Sequence, residues 1–175
     1  MTISLKPESG KKSRARIPPR LVLSDPWCFL GLGFGAGLSP WAPGTLGTLA
    51  AIPLYVLMQP MSTGAYIMVL VVWFLMGIVI CQRCEESLRV SDHSGIVWDE
   101  IVGYLVTMTA MPFSWQGIAL GFALFRLFDI LKPWPIRFFD RHVHGGFGIM
   151  LDDLLAGLLA AFLLHWLTPM LAIST

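Results

Sequence analysis

The chain has 175 residues, of which 55% are hydrophobic and only 13% are charged, and its net charge is +1. Soluble domains carry about 25% charged residues, so this composition argues against an ordinary soluble domain. It favours an integral membrane protein over a soluble helical bundle with an unusually apolar core. Three cysteines, Cys28, Cys81 and Cys84, are too few and too scattered for a disulfide framework.

The first twenty residues hold six of the twelve lysines and arginines, together with several prolines and no apolar periodicity. This pattern predicts a flexible basic tail over residues 1–24. Attraction to anionic lipid head groups suits such a tail better than nucleic-acid binding does. No short apolar segment with a small-residue cleavage site follows it, so we do not expect a cleavable signal here. Residues 25–175 are predicted to form a single helical domain.

Five apolar segments predict membrane passes, because lipid forces backbone groups to pair within a segment. In chain order they are 45–58, 64–82, 96–112, 115–131 and 149–168. A glycine-rich apolar stretch at 27–38 stops at "SPWAPG" and is expected to re-enter or to lie in the membrane interface. The predicted fold is therefore an all-α, multi-pass membrane bundle of about four to six helices.

Charges in the connections predict the orientation of these passes. The connections around 59–63 and 112–115 carry no charge, whereas 83–95 and 132–148 carry lysines and arginines. The positive-inside rule places the charged connections and the N-terminus on the cytoplasmic side. Asp99 and Glu100, and likewise Asp152 and Asp153, then begin outgoing helices at that side. An acid at a helix start is favoured by the helix dipole.

Seven charged residues are thereby expected at one depth: Asp99, Glu100, Arg126, Asp129, Lys132, Asp152 and Asp153. On a structural interpretation, the acids cap helix starts and pair with nearby cations. This interpretation does not explain why each helix start has two acids. A functional reading makes them a metal site that binds phosphate, because carboxylate oxygens suit Mg²⁺. The candidate metal ligands are Asp99, Glu100, Asp129, Asp152 and Asp153. Arg126 is either the ion-pair partner of Asp129 or a phosphate clamp.

Two further stretches contain candidate substrate-binding residues. In "PGTLGTLAA", Thr45 resembles a helix cap, and free backbone N–H groups at such a start bind anions. The alternative is that Gly44 and Gly47 allow close helix packing. In "KPWPIRFFDRHVHGG", Trp134 and Phe138 resemble interfacial anchors, while Asp140 and the histidines are polar enough to reach the site.

His93 and His144 are candidate general acids or bases, although a histidine on a polar loop is usually only solvated. Cys81 and Cys84 form a lone C-x-x-C pattern, which supplies half of a zinc site. We interpret these two cysteines as small residues at a helix end.

Three stretches in order, "GFGAGLSPWAPGTLGTLAAIP", "SGIVWDEIVG" and "FALFRLFDILKPWPIRFFDRHVHGGFGIMLDDLLAG", resemble the phosphatidylglycerophosphatase A family from about Asp25 onward. The resemblance implies an all-helical, Mg²⁺-dependent lipid phosphatase of the bacterial inner membrane. Its implied reaction removes the terminal phosphate of phosphatidylglycerophosphate to give phosphatidylglycerol, at the cytoplasmic leaflet.

In the mechanistic hypothesis, the five acids bind Mg²⁺ directly or lie next to its ligands. A water that the metal activates attacks the phosphate in line. Arg126 and Lys132 offset charge on the transferring group. An aspartyl-phosphate intermediate is a variant. The residues expected to bind substrate are Thr45, Thr48, His93, Arg137 and His144. The alternative function is a small proton- or ion-coupled transporter, which would place its acids near the membrane midplane on broken helices.

Overall fold

A computed structural model describes residues 17, 22 and 24–170, apart from the side chain of Met170. The predicted basic tail therefore lies almost wholly outside the described residues. Within that part of the chain there are eight helices and no β-strand. The α-helices are α1 Pro26–Gly31, α2 Pro43–Met58, α3 Thr63–Leu88, α4 Trp98–Thr107, α5 Trp115–Leu131, α6 Ile136–His142 and α7 Gly145–Met170, with a 3₁₀ helix at Gly33–Leu38.

The prediction of an all-α fold is confirmed, but the helix boundaries differ from the predicted ones. The segment predicted as helix over 96–112 is helical only over Trp98–Thr107. The last helix begins at Gly145 instead of residue 149. Its start is tied to α3, since the side chain of Gln82 accepts a hydrogen bond from the Gly146 N–H at 2.9 Å. The start of α7 is thus capped by a side chain from a distant part of the sequence, because the residues next to it supply no capping side chain.

Helix α4 is the centre of the bundle, and every residue from Trp98 to Thr107 is buried. It lies so close to α7 that a Cβ atom added to Gly157 would come within 2.4 Å of the Gly103 carbonyl oxygen. A Cβ on Gly103 would in turn meet the Asp153 carbonyl oxygen at 2.8 Å. Glycine at both positions therefore lets the two backbones touch beside the acids.

The helices share two ends. At one end, Gly44 at the start of α2 lies against Glu100 and Arg126, and the start of α7 lies against the last turns of α3. We call this end, where α2, α4 and α7 begin and α3 and α5 finish, the site end. At the opposite end, the Tyr55 hydroxyl and the Gln59 amide donate to the Met111 carbonyl at 2.9 and 3.3 Å.

The short helix α1 is fastened at the site end. Asp25 caps it by accepting from the Trp27 N–H at 2.9 Å, and the same carboxylate accepts from the Ser87 hydroxyl at 2.5 Å. That hydroxyl lowers the pKa of the Asp25 carboxyl. The Cys28 and Cys84 sulfur atoms lie 2.9 Å apart between α1 and α3, and the three cysteines are buried free thiols. The cysteines therefore pack helices together, as the small-residue interpretation predicted.

Two of the described helices are long and apolar enough to cross a membrane: Thr63–Leu88 and Gly145–Pro169. Helix α4 has ten residues and rises about 15 Å, roughly half the thickness of a bilayer hydrocarbon core. Helices α3 and α7 are thus the two described candidates for membrane association, and helix length alone does not establish the predicted five passes.

The contact between α4 and α7 gives a test of the packing. We expect Gly157→Ala to lower the free energy of unfolding by about 1–3 kcal/mol, because the new methyl group meets backbone that cannot move aside. Gly64→Ala is the matched control, since no atom lies within 4 Å of a Cβ at Gly64. Thermal unfolding in a neutral detergent measures both, and equal effects of the two substitutions would contradict the close contact.

Candidate active site

Three buried carboxylates meet at the site end of the bundle. Asp99 and Glu100 lie in the first turn of α4, as predicted, and Asp153 comes from α7. They are 0%, 4% and 1% exposed. One oxygen from each lies within 4.8 Å of the other two. Negative charges held this close away from water repel one another, so the arrangement is suited to hold a cation.

Asp153 is at the centre of the negative charge. Among the residues that the structure describes, neither of its carboxylate oxygens has a hydrogen-bond partner. The charges of four other acids act on it: Asp129, Asp99, Asp152 and Glu100. All five predicted acids are therefore gathered in one region, although they come from three helices. A buried carboxylate without a compensating partner is costly, and oxygen donors of this kind fit a hard divalent cation.

The two neighbouring acids of α7 have different surroundings. Asp152 forms an ion pair with the Lys132 ammonium group, whereas Asp153 joins Asp99 and Glu100. Successive residues of a helix project about 100° apart, which accounts for the separation. The prediction that this pair lies in a first helical turn is wrong, because α7 begins at Gly145 and the acids lie two turns inside it.

Two cations lie between the acids. Arg126 Nη1 is 2.6 Å from Asp129 Oδ2, one turn further along α5, and 3.9 Å from Glu100 Oε1. Lys132, the residue after α5, bonds both Asp152 and Asp140, the latter at 2.5 Å. The ion pair between Arg126 and Asp129 is thus present, and Arg126 also reaches the carboxylate cluster. The sequence indicated only that Asp140 is polar enough to reach the site, since its bond to Lys132 depends on how α6 packs against α7.

The start of α2 completes one wall of the site. A Cβ on Gly44 would lie 2.2 Å from Glu100 Oε1 and 3.0 Å from Arg126 Nη1, so a side chain there would displace the ends of these two side chains. Thr45 is not the helix cap, because α2 begins at Pro43 and its N-cap residue is Ala42, with φ 45° and no side-chain cap bond. Thr48 is buried, and its hydroxyl donates to the Gly44 carbonyl at 2.9 Å.

The remaining predicted substrate-binding residues lie further out. His144 is exposed at a small cavity of about 60 Å³ whose walls include Glu85, Asp140 and Asp152. His93 is buried, and its Nδ1 atom accepts from the Gly95 N–H at 3.0 Å. Arg137 is exposed and donates to the Leu131 carbonyl at 3.1 Å. Of these three, His144 is the one that shares a cavity with a site acid.

Fold and site together define an all-helical protein with a buried carboxylate cluster flanked by cations. Residues 29–168 match the model of a family described as phosphatidylglycerophosphatase A. The chain belongs to the phosphatidylglycerophosphatase A family, and it is an enzyme of the phosphatase class. No solved structure matches it.

Curated relatives agree with the family model. A phosphatidylglycerophosphatase A of Escherichia coli (strain K12) is 47% identical over 149 residues, which cover 85% of this chain and 87% of the relative. One from Haemophilus influenzae is 45% identical over 143 residues, 81% of this chain and 88% of the relative. A third relative, from Bacteroides thetaiotaomicron, has a provisional name, phosphatidylinositol-3-phosphatase, and is 40% identical over 77% of this chain and 89% of its own length.

The different surroundings of Asp152 and Asp153 predict opposite effects of the same substitution. Without divalent ions, Asp153→Asn removes a repelled buried charge and is expected to raise the free energy of unfolding by about 1–2 kcal/mol. Asp152→Asn breaks the ion pair with Lys132 and should lower it by about 1–3 kcal/mol. Thermal unfolding in EDTA compares them, and destabilisation by Asp153→Asn would contradict the proposed repulsion.

Proposed function

We propose that the chain is a Mg²⁺-dependent phosphatidylglycerophosphatase that hydrolyses the terminal phosphate of phosphatidylglycerophosphate to give phosphatidylglycerol and phosphate. The observation that carries this proposal is the cluster of Asp99, Glu100 and Asp153 with Arg126 beside it. Relatives that cover most of the chain have the name of this activity. A phosphate monoester needs compensation of its negative charge, which a metal ion and an arginine supply together.

In this proposal Asp99, Glu100 and Asp153 hold the metal ion. Their oxygens are hard donors of the kind that Mg²⁺ prefers, and the unbonded carboxylate of Asp153 fits that role. A bound Mg²⁺ ion polarises the phosphate and lowers the pKa of a bound water. Asp129 and Asp152 were also predicted to be ligands. Their ion pairs with Arg126 and Lys132 support a different role, in which they hold the two cations in position.

In this proposal the phosphate is bound by side chains and backbone groups of the protein. Arg126 extends from α5 to the start of α2, where its guanidinium is placed to bind phosphate oxygens while Asp129 fixes its orientation. Lys132 adds a second positive charge at the end of the same helix. Thr48 supports the first turn of α2 by bonding the Gly44 carbonyl. Backbone N–H groups at such a helix start attract anions, which favours phosphate on this side of the cluster.

We further propose that the protein lies in the bacterial inner membrane as a multi-pass bundle, with the site end toward the cytoplasm. Exposed tryptophans occur at both ends, as is usual at the two interfaces of a bilayer: Trp41 and Trp134 at the site end, and Trp115 and Trp166 at the other. An open apolar groove of about 820 Å³ between α3 and α7 is suited to contact with lipid chains. The arginines and lysines of the connections at the site end favour this orientation.

The carboxylate cluster also bears on the transporter alternative. Transporter sites lie near the membrane midplane, where helices are interrupted. Here the cluster forms at the first turn of α4 and near the last residues of α5, beside the charged connection that contains Lys132. A position near one end of the bundle favours chemistry on a lipid head group over passage through the bilayer.

Phosphate release by the purified protein tests the reaction. We expect hydrolysis of phosphatidylglycerophosphate that stops in EDTA and returns with Mg²⁺, and losses of at least about 100-fold in kcat/KM for Asp99→Asn and Asp153→Asn, since each removes a charge from the cluster. Asp25→Asn is the control, because asparagine preserves a helix cap and Asp25 is not among the acids that act on Asp153. Phosphatidylinositol 3-phosphate should be assayed in parallel, and preferential hydrolysis of that lipid would overturn the substrate assignment.

Metal binding has a readout that needs no turnover. Mg²⁺ should raise the unfolding temperature of the unmodified protein, because a ligand that binds the folded state stabilises it. Asp153→Asn should lose most of this shift, and Asp25→Asn should keep it. A full Mg²⁺ shift in Asp153→Asn would exclude Asp153 as a ligand, whatever its effect on hydrolysis.

A further inference from the structure

The short helix α6 has two different faces. Its inner face contains Ile136, which is fully buried, and Asp140, which bonds Lys132 at 2.5 Å. Its outer face exposes Arg137, Phe138 and Arg141. The segment thus connects the site to the surface of the protein across the width of one helix.

Large apolar groups accompany the arginines of this outer face. Trp134, just before α6, is 83% exposed, and Phe138 is 52% exposed with His142 stacked on its ring at 4.4 Å. Aromatic rings left in water beside cations are unfavourable for a free surface and typical of a helix in a lipid interface. We define Trp134, Arg137, Phe138 and Arg141 as the α6 patch.

We propose that the α6 patch binds the anionic lipid surface next to the site and so gathers negatively charged lipid there. The effect of the patch on catalysis rests on the proposed function, because both the proposed substrate and the proposed product are anionic lipids. Charge complementarity identifies the occupant. The segment from Lys132 to His144 has three cations, and its one acid, Asp140, is paired on the inner face.

The position of the patch gives it an effect on substrate capture. Trp134 is two residues from Lys132, so lipid held at the patch lies beside the site cations. Each basic residue near an anionic surface adds an attraction, which salt screens. The patch therefore acts on the apparent KM for lipid at low ionic strength.

Quenching of tryptophan fluorescence by brominated lipids tests the binding directly. The full chain is placed in neutral mixed micelles with brominated phosphatidylglycerol or brominated phosphatidylcholine, and the signal of Trp134 is taken as the difference from Trp134→Phe. We expect the anionic lipid to quench Trp134 more strongly at low salt. Arg141→Glu should abolish that preference, and Arg83→Glu, which reverses an exposed arginine of α3 at the same end, should keep it.

Kinetics give a second readout. The apparent KM for anionic substrate should rise about three- to tenfold in Arg141→Glu at low salt, and the difference from the unmodified protein should close at high salt. Equal quenching by the two lipids, or the same loss in Arg83→Glu, would overturn the proposal. If both lipids quench weakly, and Trp134 becomes less accessible to them as the protein concentration rises, then a second copy of the chain covers the α6 patch. That result would also overturn the proposal. Quenching needs no turnover, so failure of the proposed reaction leaves this test intact.

Discussion

The charge gathered around Asp153 is the constraint on which the rest of the structure depends. An apolar bundle cannot hold several buried carboxylates unless position, cations or a bound metal ion offset their repulsion. The first turn of α4 offsets part of it for Asp99 and Glu100. Arg126 and Lys132 offset more by pairing with Asp129 and Asp152. What is left is centred on Asp153, and that remaining charge is the physical reason to expect a divalent cation.

Gathering acids from separate helices requires those helices to touch, and glycines make this possible. Gly103 and Gly157 bring the backbones of α4 and α7 together next to Asp153, and Gly44 brings α2 against Glu100. A side chain at Gly103 or Gly157 would meet backbone and push the two helices apart, whereas one at Gly44 would displace the Glu100 carboxylate. The sequence offered two readings for the glycines of "PGTLGTLAA", close packing and anion binding. At Gly44 the close packing is present, and it puts the helix start beside Arg126, where the proposed anion site would lie.

The sequence was sufficient for the features that depend on local pattern. Apolar runs predicted an all-helical chain, and charges in the connections predicted that acids distant in sequence lie at one end. Features set by long-range contact could not be predicted in this way. The start of α7 depends on Gln82 of α3, so the helix dipole was wrongly assigned to Asp152 and Asp153. The different surroundings of these two acids depend on where Lys132 lies, and the role of Asp140 depends on how α6 folds back.

Lys132 connects the site to the surface. It follows α5 directly, bonds Asp152 of α7 and bonds Asp140 of α6, so three helices meet at one ammonium group. A shift of α6 at a lipid surface would change the position of Asp140, and Lys132 would then divide its bonding differently between the two acids. Asp152 is the sequence neighbour of Asp153, so such a change would reach the centre of the carboxylate cluster through one peptide unit of α7. The arrangement therefore places Asp152, the neighbour of the proposed ligand Asp153, two ion pairs away from Asp140 on the helix proposed to face the lipid.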